Sequence, residues 1–189
     1  MEKTLIIVKP HAVDRGLVGV FLNRFENIGL RIAELKVLRE PRELWEKFYP
    51  SDEQWLSNVG KKTLENYKKY CVDIESKLGT SDPVSIGKIV KDWLVDHMSS
   101  GNSIAVILEG NEAINKVRLA CGNTLPNLAA PGTIRFDFSC DSPILANAEK
   151  RPIFNLIHAS DPEEMRGGKK AVDYEISVLF PRLMNRDNS

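Results

Sequence analysis

Several features that mark other protein classes are scarce or missing in this 189-residue chain. Its three cysteines, Cys71, Cys121 and Cys140, are odd in number and lack Cys-x-x-Cys spacing, which argues against a disulfide framework and a zinc site. Its longest aliphatic runs, residues 5–8 and 104–108, are far shorter than the roughly 20 residues that cross a bilayer. Its 26 basic and 26 acidic residues cancel, so the basic excess typical of nucleic-acid binding is missing.

Two local patterns are also missing. Met1 is followed by two charged residues and then by a strand-like run, which leaves no room for a signal peptide, so we expect a cytosolic protein. A phosphate-binding loop of the Gly-x-x-x-x-Gly-Lys-Ser/Thr type is absent, because the nearest candidate, Gly87-Lys88, is followed by Ile89 and lacks the earlier glycine. Chemistry based on such a loop is therefore excluded.

Length and periodicity predict one domain over residues 1–189 with a helical insertion at about residues 56–100. Within the insertion, apolar residues form two stripes at helical spacing: Leu64, Tyr67, Tyr70 and Ile74, then Ile86, Ile89, Val90, Trp93 and Leu94. Pro83 suits the first turn of the second helix.

The rest of the chain alternates between strand and helix patterns. Strands are predicted at residues 4–9, 32–38, 103–109 and 155–158, and helices at residues 17–28 and from residue 113. Apolar and charged residues alternate over 32–38, as in a half-buried strand. This order predicts an α+β protein with a ferredoxin-like βαββαβ core, in which helices cover one face of a four-stranded antiparallel sheet.

A last helix is predicted near the C-terminus. We expect it to begin after Ser160 or Asp161, either of which can cap it, and to end at about Phe180. Gly167 and Gly168 predict a loop or kink within it, and residues 185–189 form a polar tail.

One histidine stands out by its surroundings. His158 ends a short apolar run and is followed by small and polar residues. A neutral imidazole can attack a phosphorus atom with one nitrogen while the other holds a hydrogen bond. A lone histidine at a strand end is more often structural, so the neighbouring residues must show whether His158 is structural or catalytic.

Those neighbours resemble one family. The chain contains Asn155-Leu156-Ile157-His158-Ala159-Ser160-Asp161, Pro131-Gly132-Thr133-Ile134-Arg135, Lys9-Pro10 and Arg15-Gly16-Leu17-Val18-Gly19. Together these segments resemble the nucleoside diphosphate kinase family, which moves a phosphoryl group through a histidine. The resemblance covers the chain outside residues 56–100, two smaller extra segments and the tail.

The resemblance implies a role for each matching residue. His158 would be the nucleophile, Glu175 would orient it, and Ser160 would bond Glu175, although a serine at a helix cap is equally expected. Phosphate contacts would come from Lys9, Arg118, Thr124 and Arg135, and a sugar contact from Asn155. Tyr49 resembles the family's tyrosine after its second strand, and Trp55 falls close to where the family has a base-stacking phenylalanine, although Trp55 could also be a core residue.

Cofactor and partners follow from the same resemblance. It implies Mg²⁺ that arrives on the nucleotide, held by phosphate oxygens and water with Asp161 at most nearby. The implied substrates are ATP and nucleoside diphosphates, and the implied assembly is a homo-oligomer, a hexamer built from dimers. A different class remains open, a non-catalytic family member that binds nucleotide or a protein partner.

The chain departs from the family at several places. His11 follows Lys-Pro where the family usually has aspartate, and Phe136 follows Arg135 where it usually has glycine. The stretch 142–154 is longer than in short members of the family, and residues 165–172 add further length between His158 and Glu175.

Overall fold

The computed structural model describes residues 1–161, 163–166 and 169–183. The predicted break at Gly167 and Gly168 and the polar tail 185–189 lie outside these ranges. Within them, no helix combines the length and the apolar character that crossing a membrane requires.

Strands and helices follow one another along the chain, with a cluster of helices in its middle. The strands are β1 (Glu2–Val8), β2 (Arg31–Leu38), β3 (Ser103–Gly110), β4 (Ile157–Ala159), β5 (Met165–Arg166) and β6 (Lys169–Lys170). The helices are α1 (Pro10–Asp14), α2 (Val18–Asn27), α3 (Arg42–Phe48), α4 (Glu53–Lys69), α5 (Ile74–Leu78), α6 (Pro83–Ser99), α7 (Ala113–Cys121), α8 (Ile134–Phe138), α9 (Pro143–Ala148) and α10 (Ala171–Leu179), with a 3₁₀ turn at Pro126–Leu128.

The main sheet has four antiparallel strands in the order β2-β3-β1-β4. The predicted ferredoxin-like α+β core is therefore confirmed. Because β1 is central and β4 pairs with its end, Ile7 lies opposite His158. The sheet thus places the end of β1, which leads into Lys9, beside the strand that carries His158.

Helices cover both faces of this sheet, so the prediction of one covered face was wrong. Ile6 and Val8 pack with α2 and α7, whereas Leu5 and Ile7 pack with α3, α6 and α10. All four side chains are fully buried. Unbroken aliphatic runs are typical of strands buried on both faces, and residues 5–8 and 104–108 are such runs.

Strand β2 is less buried than its alternating sequence predicted. Leu35 and Val37 are 46% and 61% exposed. Strand β2 lies at the edge of the sheet, and its pairing with β3 shifts register between Ile32 and Glu34. Edge position and bulge together leave side chains uncovered that the alternation alone placed in the core.

Both predicted helices of the insertion are present as α4 and α6, and Pro83 lies in the first turn of α6. The first stripe is divided, because α4 ends at Lys69 and Ile74 begins α5. Glycines let the two long helices cross closely. A Cβ atom on Gly60 would lie 1.8 Å from the carbonyl oxygen of Pro83.

The last helix, α10, begins at Ala171, so its predicted start after Ser160 or Asp161 was wrong. The antiparallel pair β5 and β6 occupies part of the intervening chain. Neither side chain caps a helix: the Ser160 hydroxyl donates to Glu175, and the Asp161 carboxylate accepts from the Glu163 amide and pairs with Arg118.

Candidate active site

A cavity of about 630 Å³ opens at the end of the sheet where β1 and β4 meet. It brings together the predicted nucleotide-binding residues Lys9, Tyr49, Trp55, Arg118, Thr124, Arg135 and Asn155, and the predicted nucleophile His158. Asp161 and Glu164 also line it. These residues come from strands, helices and loops far apart in sequence, so only the fold assembles them.

The imidazole of His158 is held by a hydrogen bond to a buried carboxylate. Nε2 of His158 lies 3.0 Å from Oε1 of Glu175, and the hydroxyl of Ser160 donates to Oε2 at 2.5 Å. Glu175 is fully buried and Ser160 is 1% exposed, whereas the His158 side chain is 17% exposed. The extra residues 165–172 therefore do not displace Glu175 from the histidine.

This pairing fixes which nitrogen can react. Facing a carboxylate, Nε2 carries the proton, so Nδ1 keeps its lone pair. Among the described residues, Nδ1 has no hydrogen-bond partner. Phe48, which sequence reasoning missed, meets the His158 ring edge to face, with centroids 5.4 Å apart.

The backbone just before His158 makes a tight turn. The Ile157 amide donates to the Asn155 carbonyl at 2.8 Å, and Leu156 between them has a φ of 69°. A branched side chain at positive φ is strained by about 1–3 kcal/mol and persists only where its surroundings hold it. The Leu156 side chain is fully buried in the core, which supplies part of that hold.

Lys9 and Asn155 form a buried polar pair at the cavity wall. Lys9 Nζ donates to Asn155 Oδ1 at 2.7 Å, and Asn155 Nδ2 donates to the Thr124 carbonyl at 3.1 Å. Burial, and secondly the charge of Arg135, lower the pKa of Lys9 to about 7. A lysine amine with this pKa is readily protonated when an anion binds in the cavity.

The two arginines of the cavity are held differently. Arg135 is 7% exposed and donates to the carbonyls of Asn155, Gly122 and Ile157 at 3.2, 2.7 and 2.7 Å. Arg118 is 41% exposed and pairs with Asp161 at 3.3 Å. Arg135 is thus a buried cation that also braces the turn, whereas Arg118 is more exposed and also donates to the Ser160 carbonyl at 3.4 Å.

The two aromatic residues predicted near the base, Tyr49 and Trp55, also line the cavity. Tyr49 is 7% exposed and belongs to the core cluster under α3 and α6. Trp55, in the first turn of α4, packs against the same cluster and also lines the cavity. Trp55 therefore satisfies the core interpretation and the base-contact interpretation at once.

The departures from the family pattern lie outside the cavity lining. Phe136 is 48% exposed on α8, in contrast to its buried neighbour Arg135. His11 lies on α1 and meets His97 of α6. The sequence held no signal for His97, since nothing in the spacing of α6 separates it from an ordinary surface position.

Comparisons with known proteins agree on one family. A family model described as nucleoside diphosphate kinase matches residues 2–59 and 85–183. A nucleoside diphosphate kinase of Pyrobaculum aerophilum is 50% identical over 161 residues, covering 85% of this chain and 88% of that protein, and one of Pyrococcus furiosus is 34% identical over 180 residues, covering 95% and 83%. Of the predicted insertion at residues 56–100, only residues 60–84 lie outside the match.

Solved structures give the same result. The crystal structure of an NDP kinase from Pyrobaculum aerophilum has a TM-score of 0.89 at 46% identity and covers 95% of each chain. A nucleoside-diphosphate kinase from Borrelia burgdorferi, a transition-state mimic with bound vanadate and ADP, has a TM-score of 0.69 at 31% identity, covering 95% of this chain and 86% of that one.

Proposed function

This chain belongs to the nucleoside diphosphate kinase family, and we propose that His158 carries the phosphoryl group between its two nucleotide substrates. The observation that carries this proposal is the bond from His158 Nε2 to buried Glu175, which leaves Nδ1 as the nucleophilic nitrogen in a cation-lined cavity. In this proposal the chain is a phosphotransferase that uses one of its own side chains as the nucleophile.

The reaction takes two steps at the same nitrogen. Nδ1 of His158 attacks the γ-phosphorus of ATP, the bond to the β–γ bridging oxygen breaks, and ADP leaves. A second nucleoside diphosphate then attacks the phosphohistidine with a β-phosphate oxygen and restores the imidazole. The ring gains positive charge as the N–P bond forms, and the Glu175 carboxylate at 3.0 Å offsets it.

Cations at the cavity wall would neutralise the polyphosphate. A unit charge at 4 Å contributes on the order of 4 kcal/mol at an effective dielectric constant near 20. Arg118 would exchange its contact with Asp161 for phosphate, and Lys9 and Arg135 are held at the cavity wall by their own hydrogen bonds. In this arrangement Thr124 contacts the phosphates. Asn155, which is held by Lys9, contacts the sugar.

The base would lie at the wall formed by Tyr49 and Trp55, where an aromatic ring can stack on any base. The Borrelia burgdorferi relative, which holds vanadate and ADP, supports a nucleotide in this cavity.

Mg²⁺ would enter with the nucleotide. Among the described residues, no three His, Cys, Asp or Glu side chains are grouped as metal ligands, and the cavity carboxylates are Asp161 and Glu164. That donor set fits an ion held mainly by phosphate oxygens and water. When bound, the ion would reduce the charge on the phosphates, and Asp161 would accept a hydrogen bond from its water.

We also propose a single domain over residues 1–189, a cytoplasmic location and a homo-oligomeric assembly. The exposed Leu35 and Val37 on edge strand β2 support an assembly, since uncovered apolar edges favour association.

The decisive experiment is phosphoenzyme formation. After incubation with γ-labelled ATP and Mg²⁺, the protein should carry acid-labile, base-stable phosphate at close to one per chain, and addition of a nucleoside diphosphate should remove it. His158→Gln should carry none while remaining folded by circular dichroism. Unlabelled wild type would favour the alternative of a non-catalytic nucleotide- or protein-binding member.

Nucleotide binding should also take up a proton. With a pKa of about 7, Lys9 is mostly neutral at pH 8 in the free protein, and bound phosphates favour its charged form. ADP binding should therefore take up nearly one proton at pH 8 and little at pH 6, and affinity should fall as pH rises above 7. Calorimetry in two buffers of different ionisation enthalpy measures the uptake.

Lys9→Arg is the matched control for that measurement, because its side chain stays charged at both pH values. Its binding heat at pH 8 should not depend on the buffer. A buffer-independent heat for wild type at pH 8 would contradict the expected uptake.

A further inference from the structure

Two histidines outside the cavity meet in a direct hydrogen bond. Nδ1 of His11, on α1, lies 2.8 Å from Nε2 of His97, on α6. The His11 ring stacks on Phe154 with centroids 4.5 Å apart, and His97 approaches the same ring at 5.0 Å. Both imidazoles are partly buried, so the pair is a packed structural unit.

The other nitrogen of His11 fixes the proton on each ring. The Leu156 amide donates to Nε2 of His11 at 3.1 Å, so Nε2 carries no proton. The proton of neutral His11 is then on Nδ1 and is donated to His97 Nε2. His97 must in turn be protonated on Nδ1. One chain of hydrogen bonds thus runs from the Leu156 amide through His11 to α6.

This chain ends at the strained turn of the active site. The turn at Leu156, which has a positive φ, is held by three further hydrogen bonds: the Leu156 carbonyl accepts from the Lys9 amide at 3.0 Å, and the Arg135 side chain donates to the carbonyls of Asn155 and Ile157. The Leu156 amide itself is held by His11. Since Asn155 precedes Leu156 and His158 follows closely, any loosening of Leu156 moves both.

We propose that His11 and His97 are positioning residues for phosphoryl transfer, because together they hold the Leu156 turn that sets Asn155 against Lys9 and His158 in the cavity. The inference rests on the proposed role of His158. It also ties turnover to the packing of α6, the helix of His97, along α4.

The charges around the pair oppose its protonation. Burial first, then His97, Lys9 and Arg15 lower the pKa of His11 to about 3, against a weaker opposing effect of Asp141. Burial, Lys9 and Arg151 lower the pKa of His97 to about 4. Both rings are therefore neutral at physiological pH, as the hydrogen-bond chain requires. A proton on Nε2 of His11 would face the Leu156 amide and break the chain.

The kinetic test separates positioning from stability. His97→Leu removes the acceptor for His11 Nδ1–H and should lower kcat/KM roughly 10- to 100-fold, with a rise in the KM for the nucleoside diphosphate. His97→Gln keeps an acceptor at the position of Nε2 and should recover most of that loss. Ile86→Ala is the matched control, because it removes a fully buried side chain of α6 away from the pair.

Ile86→Ala should lower the melting temperature while kcat/KM at 25 °C stays within about twofold of wild type, since the turn is untouched. Equal kcat/KM for His97→Leu and wild type would overturn the proposal. So would loss of activity in Ile86→Ala and His97→Leu in proportion to their melting temperatures.

A second measurement does not depend on catalysis. The chain has three histidines, so ¹⁵N-histidine NMR can be assigned with the His97→Gln and His158→Gln variants. His11 should show the neutral Nδ1–H form from pH 5 to 9. An Nε2–H form, or titration of His11 near its ordinary pKa, would overturn the hydrogen-bond chain even if His158 is the nucleophile.

Discussion

Replacement of His158 by glutamine is expected to lower kcat by on the order of 10⁴- to 10⁶-fold, because the variant has no group that can form the covalent intermediate. The side chain is only 17% exposed at the cavity wall, and glutamine fills its space and can still bond Glu175. Stability should therefore change little. A coupled assay of ADP formation measures the loss, and thermal unfolding checks the fold.

Glu175 supplies a sharper version of this test. Glu175→Gln keeps an acceptor for Ser160 but removes the charge beside the imidazole, so kcat should fall by about 10²-fold. The double variant should be no slower than His158→Gln alone, since both residues act through one nitrogen. If the two losses multiplied instead, Glu175 would have a role that does not pass through His158.

Gly87→Ala should be strongly destabilising. A Cβ atom there would lie 2.1 Å from the Leu56 carbonyl oxygen, which is backbone and cannot turn aside. The helices α4 and α6 must separate, and overpacking of this kind costs about 3 kcal/mol. For a chain of this length, the melting temperature should fall by roughly 6–12 °C, measured by calorimetry.

Gly19→Ala is the matched control for that substitution. Gly19 is also helical, in α2, but a Cβ atom there would meet nothing within 4 Å. The same chemical change should leave stability unchanged or raise it by about 0.5–1 kcal/mol. Similar melting temperatures for the two variants would show that α4 and α6 are not in glycine-dependent contact.

Periodicity predicted the strands well where local sequence and burial agree. The aliphatic runs that include Leu5 and Ile107 became central strands covered on both faces. Leu35 and Val37 were misjudged because their alternation carries no information about sheet position, and an edge strand is covered only where a helix reaches it. The start of α10 was missed because Ser160 has a cap residue's chemistry but bonds Glu175 instead.

The candidate site was predictable as a set of residues but not as a set of contacts. The residues of the site could be predicted from the segments around His158, because a family signature is a sequence pattern. The bond of Arg135 to backbone carbonyls and the positive φ of Leu156 depend on chain paths that no local pattern encodes. The pairing of His11 with His97 spans 86 positions, and neither partner's neighbours indicate the other.

The central position of β1 has a consequence for synthesis on the ribosome. Strand β1 cannot pair within the sheet until β3 and then β4 have been translated. Lys9 likewise meets its partner Asn155 only 146 positions later. Such non-local pairing slows folding and leaves apolar runs open to aggregation. Since Glu175 comes later still, His158 can meet its supporting carboxylate only after all four strands of the main sheet have been translated.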